Sequence, residues 1–385
     1  MIEYTGELKS RLPNEGTSIF AIMSEMAAKN NALNLSQGFP NFPISKELIE
    51  KVHYYMQKGH NQYAPMHGLK NLREQIVNKY SNLYNVNYCP ETEINITAGA
   101  TQAIYTTITS LVHPGDEVIV FDPAYDSYIP AIRLSGGSVR FCQLKAPDFS
   151  IDFDQLKSNI NSKTRMIIIN TPHNPTGKLI THEEMLELEK IINGRDILLL
   201  SDEVYEHLTF DDKKHESACK YPGLINNTII IGSFGKTFHA TGWKMGYALA
   251  PKNIIKEFRK VHQFVVFTCN TPVQYALADF LEDANNYLYL NDFYQKKRDL
   301  FLQSIENSRF KVIPSEGTYF QLLDYSDISN EEEMEFAKKL IVENKIAAIP
   351  IAPFYSSKLD QKLLRFCFAK TDETLIEAGK ILSEI

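Results

Sequence analysis

Lys236 follows Ser233, Phe234 and Gly235 at the end of an apolar run, in "TIIIGSFGKTFHATGWKMGY". A lysine in this setting can neutralise the phosphates of a nucleotide, or its amine can condense with a carbonyl to form a Schiff base. A phosphate loop needs G-x-x-x-x-G-K-[ST], which puts its first glycine at position 230. That position is Ile230, and the loop is too short to wrap a triphosphate. The amine chemistry needs company, and the sequence offers it. Asp202 and Tyr205 stand in the order D-x-x-Y in "DILLLSDEVYE", and Asn174 sits in the proline-bracketed "TPHNPTG". Tyr125 follows Asp122 and Pro123, while Gly99, Ala100 and Thr101 open a helical run after "EINIT". Each has a plain alternative reading: a tight helix start, a core aromatic, a turn former, a helix cap and a solvated lysine.

The elements that carry these residues decide between the readings. Short runs rich in Ile and Val alternate with helical patterns: "EINIT" before "ATQAIYTTITSLV", "DEVIVF" before "YDSYIPAIRLSGG", "TRMIIIN" before "THEEMLELEKII", then "DILLLSDE" and "NTIIIGS". Runs without polar alternation predict strands buried on both faces, and their alternation with helices predicts a largely parallel sheet in an α/β fold. Such sheets bind ligands beyond the carboxyl ends of their strands. All the candidate residues above fall at such ends, in order. After about residue 270 a long helical stretch leads to shorter α+β pieces. Residues 46–285 are therefore read as a large domain, with 1–45 and 286–385 together forming a smaller one.

Pyridoxal phosphate requires this combination: a lysine amine, an acid facing the pyridine nitrogen, donors to the ring oxygen and a phosphate cup. Asp202 supplies the acid, and Tyr205 and Asn174 the donors. Ser233, Lys244 and the backbone at Gly99, Ala100 and Thr101 form the cup, at a positive helix terminus. The segments "TPHNPTG", "SDEVYE" and "SFGKTFHATGWKMGY", with "RFCFAK" near the end, resemble those of class I aminotransferases of the aspartate-aminotransferase fold. Through "NLSQGFPNF", "NQYAPMHG" and "GATQAIY" the chain is most similar to the subgroup of bacterial methionine and kynurenine/glutamine-K aminotransferases.

The resemblance covers nearly the whole chain and implies a fold-type I transferase with Lys236 as the Schiff-base lysine and Asp202 as its ring-nitrogen partner. It implies Tyr125 stacked on the ring, and Arg365 gripping the substrate α-carboxylate beside Gly38. Lys244 stands where many relatives have arginine, keeping the charge and losing the bidentate fork. The resemblance also implies a homodimer in which Tyr63 crosses to the neighbouring cofactor phosphate. Phe20 would wall the side-chain pocket, joined by Tyr63, Tyr125 and His262 or Phe267. No arginine falls in the stretches expected there, so the expected donors are methionine, aromatic amino acids, glutamine and kynurenine, with a 2-oxo acid as acceptor. β-Elimination, as in cysteine-conjugate lyases, is the alternative on the same residues.

Composition narrows the setting. A net charge of −7 argues against a nucleic-acid surface. No apolar stretch suits a membrane span, and "MIEYTGELKSRLPNEG" lacks the apolar core of a signal peptide. Five scattered cysteines without a CxxC pair suggest neither zinc nor disulfides and fit a reducing cytoplasm. A regulator with an added DNA-binding domain is not expected, because the family's motifs begin by about residue 35.

Overall fold

The structure, a computed structural model, describes residues 1–385. In chain order its strands are β1 (Leu33–Asn34), β2 (Ile94–Thr97), β3 (Glu117–Asp122), β4 (Ser138–Gln143), β5 (Thr164–Asn170), β6 (Leu198–Asp202) and β7 (Thr228–Ser233). There follow β8 (Gly246–Leu249), β9 (Lys311–Ile313), β10 (Phe320–Asp324), β11 (Ile346–Ala347), β12 (Ile349–Pro350) and β13 (Leu363–Cys367).

Seven strands form the main sheet in the order β2-β8-β7-β6-β5-β3-β4. β8 runs antiparallel to β2 and β7, and every other pairing is parallel. The unbroken apolar runs have a direct cause. Val118, Val120, Met166, Ile168 and Leu200 pack into one core, while Ile119, Phe121, Ile167, Ile169 and Leu199 pack into another on the opposite face. Successive side chains of a strand point to opposite faces, so a sheet covered on both sides needs apolar residues at every position. Only the edge strand β4 shows the alternation of a half-exposed strand. β4 and β8 are the two strands that the apolar runs did not mark.

A second, antiparallel sheet, β12-β13-β10-β9, is built from residues 311–367. The N-terminal segment is stitched to it. β1 pairs with β11, and the amide of Cys367 donates to Leu35 O at 2.8 Å. That stitching carries residues 36–38 to the site. The long helical stretch expected after residue 270 is three helices, Thr271–Leu281, Asn285–Leu288 and Leu290–Ser304. The first break is stabilised locally, with Asp283 Oδ1 accepting from Asn285 N and Asn286 Nδ2 donating to Phe280 O. No helix is long and apolar enough to cross a membrane.

Candidate active site

The carboxyl ends of β5, β6 and β7 deliver the central groups. Lys236 lies in the single turn Phe234–Thr237 directly after β7, with Ser233 Oγ accepting from its backbone amide. The turn places the amine 2.9 Å from Tyr319 Oη and 3.3 Å from Gly38 O. Enclosure pushes this amine down to about 8, Cys367 and Asp202 opposing and the cations Arg365 and Lys244 assisting.

Asp202 ends β6 and is 4% exposed. Burial raises its carboxyl to about 6, against a 2.6 Å hydrogen bond that Tyr128 Oη donates to Oδ2. Asn170, in register beside it on β5, binds two neighbours at once. Its Nδ2 donates to Asp202 O and its Oδ1 accepts from Asn174 N, both at 2.8 Å. Asn174 Oδ1 then accepts from Arg365 Nη1 at 2.7 Å, which leaves the Asn174 amide NH2 for a ligand.

Arg365 is 1% exposed on β13. Its Nη2 donates to Ser36 O at 3.2 Å, its Nε has no partner, and neither hydrogen-bond acceptor is an acid. The guanidinium lies 3.8 Å from the Phe320 ring centre and 5.2 Å from that of Phe20. Burial lowers its pKa to about 10. A buried arginine with an orphan donor and no carboxylate hydrogen-bonded to it, Asp126 acting on it only from a distance, fits an anion from solution.

Two adjoining cavities share Ala100, Thr101, Tyr125 and Lys236. The larger, about 320 Å3, is lined by Phe20, Gly38, Asn174, Asp202, Tyr205 and Arg365 among others. The smaller, about 140 Å3, lies between Gly99–Thr101, Ser233 and Lys244. Here the helix Ala100–Leu111 begins, and glycine is required at two points. Gly99 has φ 82°, and a Cβ at Gly246 would come within 2.9 Å of Ala100 N. Bare backbone N–H groups at a helix start, beside a lysine and a serine, fit a phosphate. The larger cavity, with a buried carboxylate, an amine and an aromatic wall, fits a pyridine aldehyde. The residues present therefore match pyridoxal phosphate.

Thirteen of the sixteen residues read from the sequence converge here; Tyr63, His262 and Phe267 do not. Tyr63 is 80% exposed and stacks edge-on against Phe267, outside its own chain's cavity. The expected pocket role of His262 or Phe267 needs correction within one chain. His262 is 1% exposed, turned inward from its helix to Gln102 Nε2 and Met66 O, and Phe267 lies with Tyr63. Sequence reasoning missed Asn170, Tyr128, Tyr319 and Gln37. Gln37 lines the cavity and donates to Phe20 O at 3.3 Å. It stands one residue before Gly38 in a segment already singled out, which was the available signal.

The family model for aminotransferase class I and II matches residues 30–380. The chain is 45% identical to the methionine aminotransferase of Escherichia coli (strain K12) over 378 residues, 98% of each chain. It is 34% identical to the Homo sapiens kynurenine–oxoglutarate transaminase 3, across 97% of this chain and 89% of that one. Among solved structures, Escherichia coli YbdL, described as having a methionine aminotransferase function, superposes with a TM-score of 0.97 at 45% identity. The match covers 98% of this chain and all of YbdL.

Proposed function

The chain belongs to the class I and II aminotransferases, and from that premise we propose that it transfers the amino group of methionine and other large, uncharged amino acids to a 2-oxo acid. Aromatic amino acids, glutamine and kynurenine fall within the proposed donor range. The family's cofactor is pyridoxal phosphate. When bound, it supplies the carbonyl that takes the amino group and a ring that draws off the electron pair freed at the substrate Cα.

In this reading the chain's own groups divide the remaining work. Gly99, Ala100, Thr101, Ser233 and Lys244 hold the phosphate, Tyr125 covers the ring, and Asp202 faces the ring nitrogen. Tyr205 and Asn174 donate to the ring oxygen. Lys236 Nζ is the covalent anchor and the base that takes the Cα proton, a task suited to an amine held near neutrality. Arg365 binds the α-carboxylate in a two-pronged contact beside Gly38. Tyr63 reaches the phosphate of a second subunit, so the proposed enzyme is a homodimer. The five unpaired cysteines support a reducing, cytoplasmic setting.

One observation carries the donor class: Lys236 and Arg365 are the only cationic side chains lining the larger cavity, and both already have tasks. Phe20, Ile104, Val204 and Phe320 supply the rest of an apolar wall. A distal carboxylate buried there unpaired would cost several kcal/mol. The test compares kcat/KM for methionine, phenylalanine and aspartate with one shared acceptor. Methionine or phenylalanine should lead aspartate by about 100-fold or more; a lead for aspartate overturns the donor assignment.

A further inference from the structure

Tyr319 has no part in the proposed scheme, yet its hydroxyl is the closer of the two hydrogen-bond partners of the Lys236 amine. Three atoms form a closed triangle. Lys236 Nζ donates to Tyr319 Oη at 2.9 Å and to Gly38 O at 3.3 Å, while Tyr319 Oη donates to Gly38 O at 2.6 Å. Gly38 O can only accept, and its contact is the shorter of the two at Tyr319 Oη, which favours the hydroxyl proton on the Gly38 side and turns a Tyr319 lone pair to the amine. A neutral amine has two N–H bonds, and this arrangement offers them two fixed oxygen acceptors. Its own lone pair is then left pointing elsewhere.

We propose that Tyr319 is a positioning residue for Lys236: with Gly38 O it holds both N–H bonds of the free amine and so directs the amine lone pair toward the substrate Cα. The inference rests on Lys236 being the reacting amine. The holder is rigid. Tyr319 is 0% exposed, and its ring packs edge-on against Tyr205 at 5.2 Å and Phe320 at 4.9 Å. Gly38 reaches the triangle through the segment stitched to β13, and only glycine permits it, since a Cβ there would meet the Phe320 ring at 2.8 Å. Burial keeps the Tyr319 phenol well above its ordinary range, so it remains a hydroxyl throughout the working pH range. The other titratable groups facing the amine are Asp202, Tyr205, Arg365, Cys367 and Lys244.

The test uses Tyr319→Phe in the holoenzyme, which removes the hydroxyl and keeps the ring. In the aminated form of the enzyme, where Lys236 is free, its rate of modification by a lysine-directed reagent is followed against pH by peptide mapping. The inflection should fall by about one pH unit, because the ammonium loses an acceptor. In turnover, kcat should fall about 10- to 100-fold with KM nearly unchanged, and the isotope effect of a Cα-deuterated donor should rise. An unchanged inflection and isotope effect in the folded variant overturns the proposal. If Tyr319→Phe does not fold, 2,3-difluorotyrosine at 319, a weaker acceptor of the same shape, should lower the inflection; no change overturns the proposal. Borohydride labelling of the wild type keeps the two readings apart. A pyridoxyl label away from Lys236 defeats the premise, whereas a label on Lys236 with no effect of the substitution defeats only the role of Tyr319.

Discussion

Arg365 brings a full charge into a nearly dry place and is satisfied there only by an amide oxygen and a carbonyl. An α-carboxylate would complete its hydrogen bonding, so the loss in Arg365→Lys should appear mainly in KM. One charge-assisted bond of a parallel pair amounts to about 1.5–3 kcal/mol, or roughly 10- to 150-fold, and cofactor retention should stay near that of the wild type. Initial rates against donor concentration check this; unchanged donor kinetics would make Arg365 a structural residue. Lys236 yields a pH prediction. Its amine, lowered to about 8 by enclosure, is mostly ammonium below that pH and mostly free amine above it. Recapture of cofactor by stripped protein, followed by visible absorbance, should therefore quicken about tenfold from pH 7 to pH 9. A flat profile would mean that the amine is not the attacking group. At this scale the sequence revealed most of the residues at strand ends, but not Asn170, which ends β5, nor the residues that support them. Tyr128 lies three positions after Tyr125 and reads as core. Tyr319 stands eighty-three positions from Lys236, where no spacing rule could join them.

Strand ends are where the sequence was most informative, because burial on both faces leaves an apolar signature that stops where the candidate site residues begin. β8 escaped notice because "GYAL" is short and lies directly behind the lysine segment. β4 escaped because its edge position permits polar residues. The segment after β6 is held from behind as well. Lys79, on the helix Lys70–Tyr84, pairs with Glu206, and Tyr247 Oη of β8 donates to the same carboxylate at 3.0 Å. Burial alone would raise the Glu206 carboxyl, but Lys79 and the nearby histidines outweigh it and hold Glu206 down at about 2. A carboxyl lowered in this way stabilises the fold above its ordinary pKa, and that contribution fades as pH falls from about 4.5 toward 2. Lys79→Met leaves Glu206 buried and unpaired, and should cost about 3–5 kcal/mol. The urea midpoint near neutral pH measures it; a loss below about 1 kcal/mol would show that the pair contributes little.

At the scale of the whole molecule, the site draws on distant parts of the chain: Phe20 and Gly38 from one end, the main sheet from the middle, Tyr319 and Arg365 from the other. Tyr63 faces away from all of them, and a second subunit would give it a role. If it crosses, mixing subunits carrying Tyr63→Phe with subunits carrying Lys236→Ala builds one intact site in each mixed dimer. Activity should then rise above that of either parent, toward about half the wild-type value per dimer. Mixtures that merely average the parents would place Tyr63 outside the site. The central claim is that strand ends and chain ends meet at one amine. Borohydride reduction of the yellow holoenzyme followed by peptide mapping tests it most directly: the account predicts a single pyridoxyl label, on Lys236 in "SFGKTFHATGWK", and a label on any other lysine would contradict it.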